Sequence, residues 1–180
     1  MTNDKEVARR LRLLRDHGSE QKYRHEIVGY NFRLEGIQGA VLGVKLKYLD
    51  RWNALRREHA ALYRELLAPL EESGALTLPR ESADAESVYH LFVIQSDARE
   101  RLQRFLSAAG VQTGIHYPVP IHLQPAYASL GHKEGDFPSA ESQSRRVLSL
   151  PMFAELTGAQ IAYVSEALVD FFAEHSTARA

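Results

Sequence analysis

The 180 residues contain no cysteine, which removes disulfide frameworks, thiolate zinc sites and cysteine nucleophiles from consideration. A cysteine-free chain is compatible with a reducing cytoplasm, and a cytoplasmic location is the expectation. Charge of one sign is also lacking. Lys plus Arg number 22 and Asp plus Glu 23, a net charge of −1, so no broad field draws in polyanions and nucleic acid is not an expected partner. No run approaches the ~20 apolar residues that cross a bilayer, and the N-terminal MTNDKEVARRLRLLRDHG has no apolar stretch of a secretory signal, so no membrane partner is expected. The chain holds no GxGxxG, Walker A, GxSxG or HExxH and no paired-carboxylate motif, and no metal site is expected.

What is present reads as a globular chain, 44% hydrophobic and 25% charged, long enough for one ordinary domain with an extra arm. Residues 4–16 predict a short helix. Asn3 and Glu6 are spaced as a capping box, Val7, Leu11 and Leu14 form an apolar stripe, and Gly18 follows its end. Arg9, Arg10, Arg12 and Arg15 read as a solvated basic face. Residues 19–33 lack a steady period and predict a structured loop. From Leu34, apolar residues recur at three- and four-residue steps through Ile37, Val41, Val44, Tyr48, Trp52, Leu55, Leu62, Leu66 and Leu70. That pattern predicts one amphipathic helix ~50 Å long. Gly36, Gly39 and Gly43 near its start predict that this end is buried against another backbone.

Beyond residue 74, strands are expected at 75–78, 88–95 and 111–116, and helices at 99–109 and 139–148, with a proline-rich loop before the second helix. Thr157 and Gln160 are spaced as a capping box that opens a last helix, with Ile161, Val164, Leu168 and Phe172 on one face. Residues 175–180 read as a frayed tail. The order implies a small α+β lobe with helices on one side of a short sheet.

Three places offer chemistry. In Gly29-Tyr30-Asn31-Phe32-Arg33, an amide and a guanidinium near a helix start suit a phosphate or carboxylate; equally, Asn31 caps a helix and Arg33 pairs with a local carboxylate. In the loop from Thr113 to His122, the two histidines and Tyr117 are either acid, base or hydrogen-bonding groups or rings packed on the core. His90, in VYHLFVIQ, alternates onto the face of Val88 and Phe92 and reads as a half-buried structural histidine.

Four stretches carry a resemblance in the same order. GYNFRLEGIQGAVLGVKLKYLDRWNALRREHAALYRELL resembles the GYNxRxxxIQAA segment and long helix of DegT/StrS aminotransferases. TNDKEVARRLRLLRDHG is similar to the helix that follows their catalytic-lysine region. GIHYPVPIHLQPAY is similar to their HYPxPxHxQPxY loop, and RRVLSLPMFAELTGAQIAYVSEAL to their LSLPMxPxLT segment. The resemblance runs from Thr2 to Phe172.

It implies the C-terminal part of a fold-type I transferase that uses pyridoxal 5′-phosphate (PLP) and works as a homodimer. The implied layout is a remnant of the large cofactor domain over 1–33, a bridging helix over 34–73, a small α+β domain over 74–173 and a tail over 174–180. The implied reaction moves an amino group, usually from glutamate, to a keto group on a nucleotide-linked sugar. Asn31 matches the residue that reaches the cofactor phosphate of the partner subunit, with Tyr30 and Arg33 flanking it. His116 and Tyr117 match the loop lining the sugar-nucleotide site, and His122 reads as structural. The family's catalytic lysine lies upstream of the position matching Met1, as do the aspartate and aromatic ring that hold the cofactor. Lys5, Lys22, Lys45, Lys47 and Lys133 do not match it. No catalytic residue is therefore assigned in this chain. The expected partner is a second copy or a chain supplying the missing half. The alternatives are a relative with histidine at the lysine position, which performs dehydration, and an inactive remnant or dimerising interaction domain.

Overall fold

A computed structural model describes residues 2–176, with side-chain environments through residue 174; the expected tail from 175 onward lies largely outside them. The chain forms two compact units, 1–49 and 50–180.

In the first unit, helix α1 spans Lys5–Arg15. Its N-cap is Asp4 rather than Asn3: the Asp4 carboxylate accepts from the amides of Glu6 at 2.8 Å and Val7 at 3.0 Å. A full negative charge at the positive end of the helix gains from the dipole as well as the hydrogen bonds. The expected stripe is not the buried one. Leu13 is buried, whereas Val7 and Leu11 are exposed. Nor is the basic face simply solvated, because Arg9 bridges Glu20 at 3.1 Å and Glu26 at 2.8 Å. Glu20 lies within, and Glu26 directly follows, a short antiparallel hairpin, β1 (Ser19–Gln21) and β2 (Arg24–His25), which opens the segment expected to be a loop. Two glycines let the chain cross itself here. A Cβ on Gly18, whose φ is +73°, would lie 1.7 Å from the Ile27 carbonyl oxygen, and one on Gly29 would lie 2.1 Å from the Gly18 nitrogen.

The expected single helix from Leu34 is two. Helix α2 spans Gly36–Leu46 and α3 spans Leu49–Glu72. Between them the amides of Lys47 and Tyr48 bond the carbonyls of Val44 and Lys45, three residues back, so the helix tightens and breaks. Apolar periodicity continues through the break, which is why it was invisible to pattern. No residue of α2 is buried, and nothing lies within 4 Å of a Cβ built on Gly36, Gly39 or Gly43, against the expectation of close packing there. Ile37 is 82% exposed.

The second unit carries the core. Strand β3 (Phe92–Gln95) pairs antiparallel with β4 (Val147–Leu150), Phe92 opposite Leu150 and Ile94 opposite Leu148. The expected strands at 75–78 and 111–116 shrink to single bridges, Thr77 to Gln95 and Gly114 to Ser149. Helices α4 (Arg99–Ala108), α5 (Pro138–Arg146) and α6 (Gly158–Ser176) complete it, with two 3₁₀ turns at Ile121–Leu123 and Pro125–Leu130. The helix expected over 139–148 stops at Arg146 because Val147 turns extended, at ψ 137°. All four residues of β4 are buried, so it has no polar-apolar alternation to announce a strand. The Thr157–Gln160 capping box forms as expected, at 2.9 and 3.3 Å.

His90 is exposed and lies outside β3, contrary to its expected place beside Phe92. Tyr89 adopts φ +44°, which breaks the alternation and turns Tyr89 inward, its ring centroid 6.1 Å from that of Phe92. The core joins Tyr63 and Leu67 of α3 to Phe92, Ile94 and Leu148 of the sheet, Leu102 and Leu106 of α4, and Ile161, Leu168 and Phe171 of α6. Helix α3 also presents three polar groups along one face to the segment after β4. Arg56 donates to the Met152 carbonyl at 3.0 Å, the His59 ring meets the Ala154 carbonyl at 3.2 Å, and the Tyr63 hydroxyl donates to the Pro151 carbonyl at 3.1 Å. Burial pushes the Tyr63 phenol far above its ordinary pKa.

Two outcomes are expected. Tyr63→Phe keeps the ring but strips a partner from a carbonyl beneath the core, and should cost about 1–3 kcal/mol in urea denaturation. The chain on its own should self-associate through α2, and the double substitution Ile37→Glu, Val44→Glu should raise the monomer fraction in sedimentation velocity; an equally monomeric wild type would contradict this.

Candidate functional site

Tyr30, Asn31 and Arg33 sit in the first unit, where residues 30–32 run along the C-terminal end of α1. The Tyr30 amide donates to the Leu14 carbonyl at 2.7 Å, the Phe32 amide to the Arg15 carbonyl at 2.9 Å, and the His17 amide to the Tyr30 carbonyl at 2.8 Å. These bonds satisfy carbonyls that a helix end leaves open and pin the segment as an extended strip. Asn31 pairs with Asp16 across it.

Asn31 caps no helix. The N-cap of α2 is Glu35, whose amide donates to the Gln38 side-chain oxygen at 3.0 Å. The Asn31 carboxamide oxygen instead accepts from Arg33 Nε at 2.8 Å, which leaves its NH₂ as the end still able to donate. Arg33 is also 3.5 Å from Asp16 and 3.6 Å from Glu35, so its charge is shared locally, as the local-carboxylate alternative anticipated. The Tyr30 ring stacks on Phe32 with centroids 4.9 Å apart, and both rings are exposed. The cluster is an exposed neutral-donor surface beside a guanidinium held between two carboxylates. It suits one side of an anion site, and a phosphate dianion would need further positive charge from outside it.

His116 and Tyr117 lie in the second unit. His116 is half-buried, and its Nδ1 is 2.9 Å from the Ser149 hydroxyl in β4. The Tyr117 ring meets it edge-on at 5.3 Å and is 72% exposed. The loop beyond is clasped by the largely covered side chains of His122 and Glu141, with His122 Nε2 3.0 Å from Glu141 Oε1 and the His122 ring against Phe137 at 4.7 Å. The Glu141 carboxylate also accepts from the amides of Gly135 at 2.9 Å and Phe137 at 3.3 Å. Burial pushes this carboxyl upward, but the two amides and the imidazole outweigh it and hold it below the ordinary carboxylate range. His122 thus has the structural surroundings expected of it.

The structure brings Tyr30, Asn31 and Arg33 together in one unit and His116 and Tyr117 together in the other. Sequence reasoning missed Ser149, Glu141 and Asp16. Ser149 lies inside the RRVLSLPM stretch, and a small polar residue among four apolar ones was the available signal. Glu141 carried none, since acidic residues open many exposed helices. Among the described residues no cluster of three or more potential metal ligands occurs, and no helix is long and apolar enough to cross a membrane.

A model described as the DegT/DnrJ/EryC1/StrS aminotransferase family matches residues 1–169. A dTDP-3-amino-3,4,6-trideoxy-alpha-D-glucose transaminase of Streptomyces venezuelae is 46% identical over 93% of this chain and 44% of its own. The crystal structure of S. venezuelae DesV superposes with a TM-score of 0.84 at 44% identity, over 95% of this chain and 45% of that one. The structure of NtdA from Bacillus subtilis with bound cofactor PMP superposes with a TM-score of 0.80 at 28% identity, over 94% of this chain and 40% of that one. The mixed helix and small-sheet architecture is therefore that of these aminotransferases. The chain spans about half the length of the curated relatives it matches.

The lowered Glu141 carboxyl makes a pH prediction. A folded-state pKa below the unfolded value, about 4.3, gives stability that is complete above that value and lost as pH falls through the folded pKa. Wild-type thermal midpoints should therefore drop between pH 5 and pH 3 more steeply than those of Glu141→Gln; parallel slopes would count against the clasp.

Proposed function

The chain belongs to the DegT/DnrJ/EryC1/StrS aminotransferase family, and on that premise we propose that it is the C-terminal portion of a PLP-dependent enzyme that moves an amino group, with glutamate as donor, to a keto group on a nucleotide-linked sugar. The observation that carries this reading is its 46% identity, along nearly its whole length, to a relative named as a sugar transaminase.

The residues present fit one side of a cofactor site. Asn31 offers an amide donor and Tyr30 an exposed phenol, and both suit a phosphate. Arg33 occupies the Asn31 oxygen, so the NH₂ end is the one left to bind. PLP, when bound, supplies the electron sink that amino transfer requires. The remaining positive charge, and the lysine whose amine holds the cofactor and moves the proton at the substrate carbon, come from a segment or chain outside these residues. In a homodimer the Asn31 cluster would serve the cofactor of the partner subunit. His116 and Tyr117 bind and orient the nucleotide-linked sugar, and the His122–Glu141 clasp holds the loop that presents them. A second reading, a non-catalytic remnant or a dimerising interaction domain, is favoured by one observation, the exposure of the apolar helix α2.

Mixed with PLP, glutamate and a keto sugar nucleotide, the chain alone should give no amino sugar, and borohydride should trap no adduct. Joined to a half that carries the lysine it should turn over, and Asn31→Ala should then weaken PLP binding about tenfold or more. Turnover by the isolated chain would refute the split, and silence of the joined enzyme would favour the remnant.

A further inference from the structure

The His116 imidazole rests on two residues that neither the family resemblance nor the sequence pattern had assigned a role. Ser149 occupies β4, a strand paired on one side with β3 and bridged on the other to Gly114. That bridge is a tight pair of hydrogen bonds, Gly114 N–H to the Ser149 carbonyl at 3.1 Å and Ser149 N–H to the Gly114 carbonyl at 2.7 Å. It fixes how far residue 116 stands from the Ser149 side chain. Gly114 itself lies under the ring: a Cβ there would come within 2.6 Å of His116 Cε1 and 3.3 Å of Nδ1. The ring can lie where it does because residue 114 has no side chain.

The hydroxyl decides the tautomer. Ser149 is 4% exposed, and among the described residues its Oγ meets a single hydrogen-bond partner, His116 Nδ1 at 2.9 Å. A buried hydroxyl that does not donate forfeits its proton's partner, and the acceptor within reach is Nδ1. If Nδ1 accepts, the neutral imidazole carries its proton on Nε2, the nitrogen on the far side of the ring, which no described residue engages.

We propose that Ser149 and Gly114 form a seat that holds His116 as an outward Nε2–H donor to an acceptor oxygen of the bound nucleotide-linked sugar. Ser149 is thus a positioning residue for substrate binding. The donor role rests on the function proposed above; the seat does not.

The test has two parts. Nitrogen-15 spectra of the histidine rings, recorded on this chain near pH 8, should show His116 Nδ1 unprotonated and hydrogen-bonded. Ser149→Ala should remove the hydrogen-bonded signature and move Nδ1 toward the averaged resonance of a ring exchanging between its two neutral tautomers, while the amide spectrum keeps its dispersion. Gly114→Ala should displace the ring and lose the same signature with Ser149 intact. A protonated Nδ1 in the wild type, or spectra unchanged in both variants, would overturn the seat. In the enzyme joined to its lysine-bearing half, Ser149→Ala should raise KM for the nucleotide-linked sugar about tenfold and leave kcat within about twofold. An unchanged KM would overturn the donor role. A wild-type enzyme inactive on such sugars would instead sink the proposed function and leave the seat to be judged by the spectra.

Discussion

The second unit is organised by the need to satisfy the backbone of one buried strand and of the segment that follows it. Every residue of β4 is buried, so no water is at hand for its amides and carbonyls. β3 supplies one edge and Gly114 the other. Once the chain leaves β4 the carbonyls of Pro151, Met152 and Ala154 face α3, and Tyr63, Arg56 and His59 meet them. Those three side chains are spaced to fall on one helical face, so α3 serves as a hydrogen-bonding platform as well as an apolar wall. This explains how a two-stranded sheet, marginal by itself, becomes the floor of a core.

The loop from His116 to Glu141 depends on that floor. Its first end is tied to β4 through His116 and Ser149, and its last end through the buried Glu141 of α5, which runs directly into β4. Between the ties the loop exposes large apolar rings and chains, among them Tyr117, Ile121 and Leu130. A loop that shows such groups to solvent would collapse on them without fixed ends, and the two imidazoles provide those ends.

The first unit follows a different logic. It is held by hydrogen bonds at the end of α1 and by Arg9 across the hairpin, with little buried apolar area. Among the described residues Leu13 is the large hydrophobic one it buries, while Val28, Phe32, Leu34 and Ile37 stand exposed. A helix as apolar as α2 is ordinarily a buried one. Its exposure fits a chain that spans about half the length of its relatives.

Local, short-range information was legible in the sequence. The α+β class, helices α1, α4 and α6 and the Thr157–Gln160 box follow from periodicity and capping chemistry, because these depend on neighbours three or four positions away, and motif marks where along the chain the two candidate clusters lie. The break after Leu46 was hidden because apolar spacing continues through it. β4 was hidden because a strand covered on both faces shows no alternation. The burial of Tyr89 in place of His90 turned on a single left-handed residue. Which partner each polar group takes was decided in space alone. Asn31 meets Arg33 rather than a helix end, and Ser149 meets a histidine 33 residues away, since hydrogen bonds between distant segments are set by packing and leave no period in the chain.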